Sequence, residues 1–199
     1  EGSEGVGKST QLRFLKEYCQ KNGIDAVFTR EPGGSEIAEK IRNLILDPSN
    51  GGMTDVCEAF LYAAARNQHL RDVVAPALAD GKIVFCDRYV DSSYAYQGFG
   101  RKLGYDFVKN LNDLAIGQYI PQYTIFLDLS PEEAFARKGG ADKADRLEQS
   151  GDEFFGRVYD GYKYAAEKNA DRFIVIRPLG TKYETHEKIV EALKQKGVF

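Results

Sequence analysis

The first ten residues, Glu-Gly-Ser-Glu-Gly-Val-Gly-Lys-Ser-Thr, constrain the fold more than any other stretch. Gly2 to Ser9 satisfy the spacing G-x-x-x-x-G-K-[ST] without a gap. Glycines let a backbone wrap closely around phosphate oxygens, and successive N–H groups then point inward. The pattern predicts that Gly2, Ser3, Glu4, Gly5, Val6, Gly7, Lys8, Ser9 and Thr10 bind the phosphates of ATP. Lys8 is the point charge for the β- and γ-phosphates, and the Ser9 hydroxyl is placed for Mg²⁺. A helix opening near Ser9 turns its positive end toward the anion. Such a loop normally follows a buried strand. This sequence opens at Glu1 with neither strand nor initiator Met, so the expectation is that the first strand of the sheet is missing from it.

Downstream, apolar runs alternate with helical periodicity. Leu12, Leu15 and Cys19 mark a helix ending at Asn22-Gly23, and Ile24 to Thr29 reads as a strand. Arg30-Glu31-Pro32-Gly33-Gly34 is a turn, and Ser35 caps a helix carrying Ile37, Ile41, Leu44 and Ile45. A long helical pattern opens at Thr54, passes Phe60, Leu61, Ala64 and Ala65, bends before Pro76 and stops at Gly81. Ile83 to Cys86 is a continuous apolar run, as in a parallel strand covered on both faces. Ser92 to Gly100 mixes polar and aromatic residues and shows no clean period. Helices through Phe107–Ala115, Phe154–Lys168 and Thr185–Lys196 then alternate with strands at Tyr123–Leu129 and Phe173–Ile176. Ser130-Pro131 caps a short helix between them. The order predicts one α/β domain over residues 1–199: a three-layer sandwich around a five-stranded parallel sheet, with a lid at about 137–148.

Net charge is −3, which leaves no basic field for a nucleic-acid polymer. No apolar run is long enough to span a membrane, and no leader is visible. Three scattered cysteines without a C-x-x-C suggest buried thiols in a reducing cytoplasm.

Several residues carry chemistry. Asp87 ends a strand, where an acid in a P-loop fold helps hold Mg²⁺; the bland reading is a surface turn. Arg88 beside it has the planar fork that clamps phosphate. Residues 137–146 concentrate Arg137, Lys138, Lys143 and Arg146 around Gly139-Gly140, which suits a mobile lid carrying cations to a transferring phosphoryl group, although such loops are often merely solvated. Tyr62 and Arg66 lie four apart on one helix face and suit a planar base; taken alone, they read as a core aromatic and a surface ion pair. His69 and His186 read as structural.

The ordered set of motifs resembles the bacterial thymidylate kinases. The set is Gly2–Ser9, Thr29-Arg30-Glu31-Pro32-Gly33-Gly34, Tyr62-Ala-Ala-Ala-Arg66, Asp87-Arg88-Tyr89, Ser92-Ser93-Tyr94-Ala95-Tyr96-Gln97-Gly98 and Asp145-Arg146-Leu147-Glu148. The resemblance implies transfer of the γ-phosphoryl group of ATP to dTMP, with Mg²⁺. Tyr62 matches the position that stacks on thymine, Arg66 the residue that bonds its edge, and Ser93 and Gln97 further base contacts. Arg42 and Arg88 match arginines on the dTMP phosphate; Glu4 and Glu31 match acids near the sugar 3′-OH and the Mg²⁺ site. The P-loop interior holds no arginine, so the resemblance is to the design whose catalytic cation comes from the lid, among Arg137, Lys138, Lys143 and Arg146. A homodimer formed through helices is implied as well. Another nucleoside monophosphate or deoxynucleoside kinase, a P-loop ATPase switch with no small-molecule acceptor, and an inactive fragment are the alternatives.

Overall fold

The computed structural model describes residues 1–138, 146–147 and 150–199, the side chain of Lys138 excepted. Helix α1, Lys8–Lys21, leaves the P-loop directly and buries Gln11, Phe14, Leu15 and Cys19. Its start needs a left-handed residue, and Gly7 supplies it at φ 101°. Strand β1, Ala26–Arg30, then runs parallel to β2, Ile83–Asp87, with Arg30 opposite Asp87. Between them lie α2, Glu36–Leu46, a 3₁₀ turn at Pro48–Asn50, and α3, Asp55–His69. Thr54 Oγ1 caps α3 by accepting from the Cys57 N–H at 3.2 Å.

The predicted bend before Pro76 is a π-helical turn at Leu70–Val74, after which α4 covers Ala75–Ala79. Beyond β2 come α5, Val90–Ser93, and a second π-helical segment, Tyr94–Gly100. That segment is the stretch without a readable period. A widened turn has neither the helical nor the strand repeat. Helix α6, Tyr105–Ile116, leads to β3, Thr124–Leu127. Then follow α7, Pro131–Lys138, α8, Asp152–Lys168, β4, Phe173–Ile176, and α9, Lys182–Gln195. Thr181 and Glu184 form a reciprocal capping box at the start of α9.

The expected single five-stranded sheet is not what the described residues form. They make two parallel two-stranded sheets, β1–β2 and β3–β4. The reason is spatial: β2 and β3 are not hydrogen-bonded neighbours, and both line a groove of about 470 Å³. Glu1 is placed in this groove along β3. Its backbone nitrogen donates to Ile125 O at 2.7 Å, and its carbonyl accepts from Leu127 N at 3.0 Å. Apolar side chains fill both flanks. One cluster joins Val90, Tyr94, Val108, Phe126, Phe154, Val158 and Tyr162; the other joins Val6, Leu15, Leu127, Leu129, Ile176, Ile189 and Leu193. Of the three cysteines Cys19 is buried, but Cys57 stands exposed, because it faces outward from the first turn of α3.

Candidate active site

The P-loop is held by contact as well as by conformation. A Cβ on Gly2, at φ 133°, would lie 2.8 Å from Leu127 O, so only glycine fits there. Lys8 folds over the loop, and its Nζ donates to Gly2 O at 2.9 Å and Ser3 O at 2.7 Å. Burial, and next the nearby Arg88, pull its ammonium down to about 7. The Ser9 hydroxyl stands 3.5 Å from Asp87 Oδ2. Asp87 Oδ1 is buried and has no hydrogen-bond partner among the described residues. An orphaned carboxylate oxygen beside a hydroxyl fits a hard, oxygen-ligated dication.

Arg88 follows Asp87 in a left-handed conformation, φ 64°, rare for a side chain of this size. Its guanidinium donates to Glu4 Oε1 at 2.6 Å, to Gly2 O at 3.2 Å and to the Tyr162 hydroxyl at 3.1 Å. It lies over the Tyr96 ring, 5.2 Å from the centroid. The arginine therefore ties the end of β2 to the P-loop.

A second cavity, of about 140 Å³, opens beside this junction. It gathers Glu4, Glu31, Arg42, Tyr62, Arg66, Asp87, Arg88, Ser93 and Gln97, drawn from six separate stretches of sequence. Arg66 is the most heavily bonded of them. Nε donates to Glu31 Oε2 at 2.7 Å, Nη1 to Ser93 Oγ at 3.0 Å and to Asn112 Oδ1, and Nη2 to Tyr89 O at 3.1 Å. The side chains of Arg66 and Glu31 are 1% and 2% exposed, so the surface ion pair suggested by spacing alone is in fact a buried one. Of its five N–H groups, one on Nη2 remains for a ligand among the described residues. Arg42 donates to Pro32 O at 2.8 Å at the rim.

Glu31 is also held from its other oxygen. His69 Nδ1 lies 2.9 Å from Glu31 Oε1, and Nε2 lies 2.7 Å from Thr29 Oγ1. A carboxylate only accepts, so Nδ1 carries a proton and donates to Glu31. Gly34 packs on this ring: a Cβ there would be 2.6 Å from His69 Cδ2. Glu31, His69 and Cys86 each bring a ligand atom within 4.8 Å of the others. Burial, then Glu31, pushes the Cys86 thiol well up, which makes it a poor ligand, and both Glu31 oxygens are already engaged. Thr29, His69 and Glu31 instead form a hydrogen-bond relay under the cavity, while Cys86 Sγ donates to Arg88 O at 3.1 Å.

Sequence reasoning missed Glu58 and Asn112. Glu58 is fully buried on α3, and its Oε1 accepts from Gln97 Nε2 at 2.9 Å. Arg101 reaches both of its oxygens, and Arg146 Nη2 donates to Oε2. The signal was present: Glu58, Tyr62 and Arg66 recur every fourth residue, on one helix face. Among the lid cations, Arg146 is thus held on α3, and its Nε donates to Ile45 O at 2.8 Å. Arg137 donates to Pro178 O, away from that cluster. Lys143, Asp145, Glu148 and the Lys138 side chain lie outside the described residues.

The sequence model of one family, "Thymidylate kinase", matches residues 1–189. A thymidylate kinase from Finegoldia magna is 46% identical over 200 residues, covering 100% of this chain and 97% of that protein. One from Lactobacillus acidophilus is 46% identical, covering 98% and 92%. The crystal structure of thymidylate kinase from Ehrlichia chaffeensis superposes with a TM-score of 0.78 at 32% identity, covering 98% of this chain and 95% of that one.

Proposed function

The chain belongs to the thymidylate kinase family, and from that premise we propose how its residues divide the work. The reaction is transfer of the γ-phosphoryl group of ATP to dTMP, giving dTDP and ADP. The observation that carries the division of roles is the cavity shared by Asp87 and Arg88 on one side and Arg66 and Gln97 on the other.

In this reading Gly2 to Thr10 bind ATP, with Lys8 on its phosphates. Ser9 and Asp87 hold Mg²⁺, which supplies charge neutralisation at the phosphates when bound; the partnerless Asp87 Oδ1 supports this. Glu31, with both oxygens engaged, braces Arg66. Tyr62 stacks on thymine, and the remaining Arg66 N–H, with Ser93 and Gln97, meets its polar edge. Arg42 and Arg88 hold the acceptor phosphate. That phosphate is already ionised near neutrality, with a second pKa of about 6, so no strong general base is needed. Catalysis is then positioning plus neutralisation of charge on the phosphoryl group in flight. The lid supplies a further cation. Arg146 rests on Glu58 and Arg137 on Pro178 O, and with Lys138 and Lys143 they are the candidates for that role.

The same proposal includes one five-stranded sheet, since β2 and β3 line a common groove and Glu1 already pairs along β3. It includes a cytoplasmic homodimer. Val56 and Phe60 on α3 and Leu114 on α6 stand 43%, 54% and 86% exposed, and α2, α3 and α6 pack side by side. No helix among the described residues is long and apolar enough to cross a membrane.

The test is a coupled assay with ATP and Mg²⁺ against dTMP, dUMP, UMP, CMP, AMP and GMP. One methyl in an apolar pocket is worth about 1–3 kcal/mol, so dUMP is turned over less well than dTMP. Purine monophosphates fail on size. Equal rates with dTMP and a purine nucleotide overturn the residue assignment.

A further inference from the structure

We infer that Glu58, which does not face the ligand, makes the site select a base with an N3–H over one with a bare N3. This rests on the placement of Gln97 against the acceptor base. A glutamine amide has two poles, a donor and an acceptor, and can present either to a ligand. Gln97 is 1% exposed on the π-helical segment and lines the acceptor cavity. Its Nε2 donates to Glu58 Oε1 at 2.9 Å. Because a carboxylate accepts and never donates, the amide has only one orientation against it. Among the described residues Gln97 Oε1 receives no hydrogen bond, so the acceptor pole is the one left for the cavity.

Thymine and uracil carry a hydrogen on N3; cytosine carries a lone pair there. Gln97 Oε1 accepts from the first and faces an acceptor with the second. The Arg66 N–H left on Nη2 adds to this, since it favours a carbonyl oxygen over an amino group at the neighbouring position. A site built on a buried polar group penalises the ligand that leaves it unpaired.

Two arginines hold Glu58 itself, and Arg101 Nε is shared between Oε1 at 3.2 Å and Oε2 at 3.3 Å. Arg101 Nη2 donates to Oε2 at 3.0 Å, and Arg146 Nη2 donates to the same oxygen. Both arginines require an acceptor at Oε2. In Glu58→Gln, the new amide therefore keeps its oxygen toward them and turns its NH₂ toward Gln97. Gln97 then reverses, with Oε1 accepting from the new amide and its own NH₂ facing the cavity. Glu58 is a positioning residue, and its substitution inverts the polarity that the ligand meets.

The experiment compares kcat/KM for dTMP and dCMP in wild type, Glu58→Gln, Gln97→Ala and the double variant. The expected result is a fall of about tenfold or more in the dTMP:dCMP ratio for Glu58→Gln. No further fall is expected when Glu58→Gln is added to Gln97→Ala, because Glu58 acts through that amide. An unchanged ratio in a folded Glu58→Gln overturns the inference, as does an equal fall in both backgrounds. A wild type inactive on dTMP refutes instead the functional reading on which this rests. If Glu58→Gln does not fold, the unsubstituted protein decides. With glutamine side chains labelled with ¹⁵N, and the Gln97 pair assigned by its loss in Gln97→Met, the pair is expected to exchange slowly with solvent before any ligand is added. Rapid exchange means that Glu58 does not hold the amide, and the inference falls.

Discussion

Arg88 donates to Glu4 at 2.6 Å, so the arginine at the end of β2 is paired with an acid of the P-loop itself. The P-loop and the end of β2 meet at the cavity through this contact. Arg88 also bonds Gly2 O, a second tie between the loop and the cavity that Arg88 lines.

Replacing Arg88 with Ala is expected to lower kcat by about 10³-fold or more, the scale of an arginine that neutralises a transferring phosphoryl group. Circular dichroism is expected to stay native. A fall confined to KM for dTMP places Arg88 in ground-state binding alone.

Lys8 links nucleotide binding to pH. Its folded value near 7 lies below the ordinary 10.5. Between these limits the unfolded chain binds more protons, so this group makes the ligand-free protein more stable as pH rises. Its full cost applies below about 7. Phosphates restore the ammonium, so binding of an ATP analogue at pH 8 is expected to take up protons. Calorimetry in buffers of different ionisation enthalpy reads the number. Lys8→Met is expected to remove the uptake and turnover together; uptake that persists assigns the proton to another group.

Arg66→Ala leaves Glu31 buried without its strongest partner. A loss of about 3–5 kcal/mol is expected, read from denaturant midpoints. The KM for dTMP is expected to rise much more than that for ATP, and an equal rise in both makes Arg66 a scaffold residue only. Adding Glu31→Ala is expected to recover part of the stability but not the dTMP affinity.

Asp87→Asn keeps the shape of the side chain and removes its charge. The Mg²⁺ concentration for half-maximal rate is expected to rise, while dTMP binding in the absence of metal stays unchanged. An unaltered Mg²⁺ dependence takes Asp87 out of the metal site.

Legibility followed the distance over which each feature is built. The P-loop, the strand ending in Asp87 and the turn at Glu31–Gly34 are contiguous, so local chemistry exposes them. The cavity is lined by Glu31, Arg66 and Gln97, and Asn112 and Glu58 hold the last two from behind, a pairing that exists only after α3, α6 and the π-helical segment meet. Arg66 looked like half of a surface pair because the spacing of Tyr62 and Arg66 says nothing about depth. His69 read as structural, and it is buried, but its place in a relay to Thr29 and Glu31 depends on β1. Alternation predicts four of the five strands and the P-loop the first, and neither says which edges meet.

The segment Tyr94–Gly100 has one more consequence. A π turn amounts to an α-helix with an extra residue squeezed in. Removing any one residue from it would let the ordinary ladder close, and everything beyond would rotate by about 100°. A one-codon deletion before Gln97 would swing that residue off Glu58 and uncouple Gly100 from Phe154, whose ring already lies 2.7 Å from where a Cβ would stand. For this stretch the number of residues is constrained along with their identities, since all but Phe99 are buried.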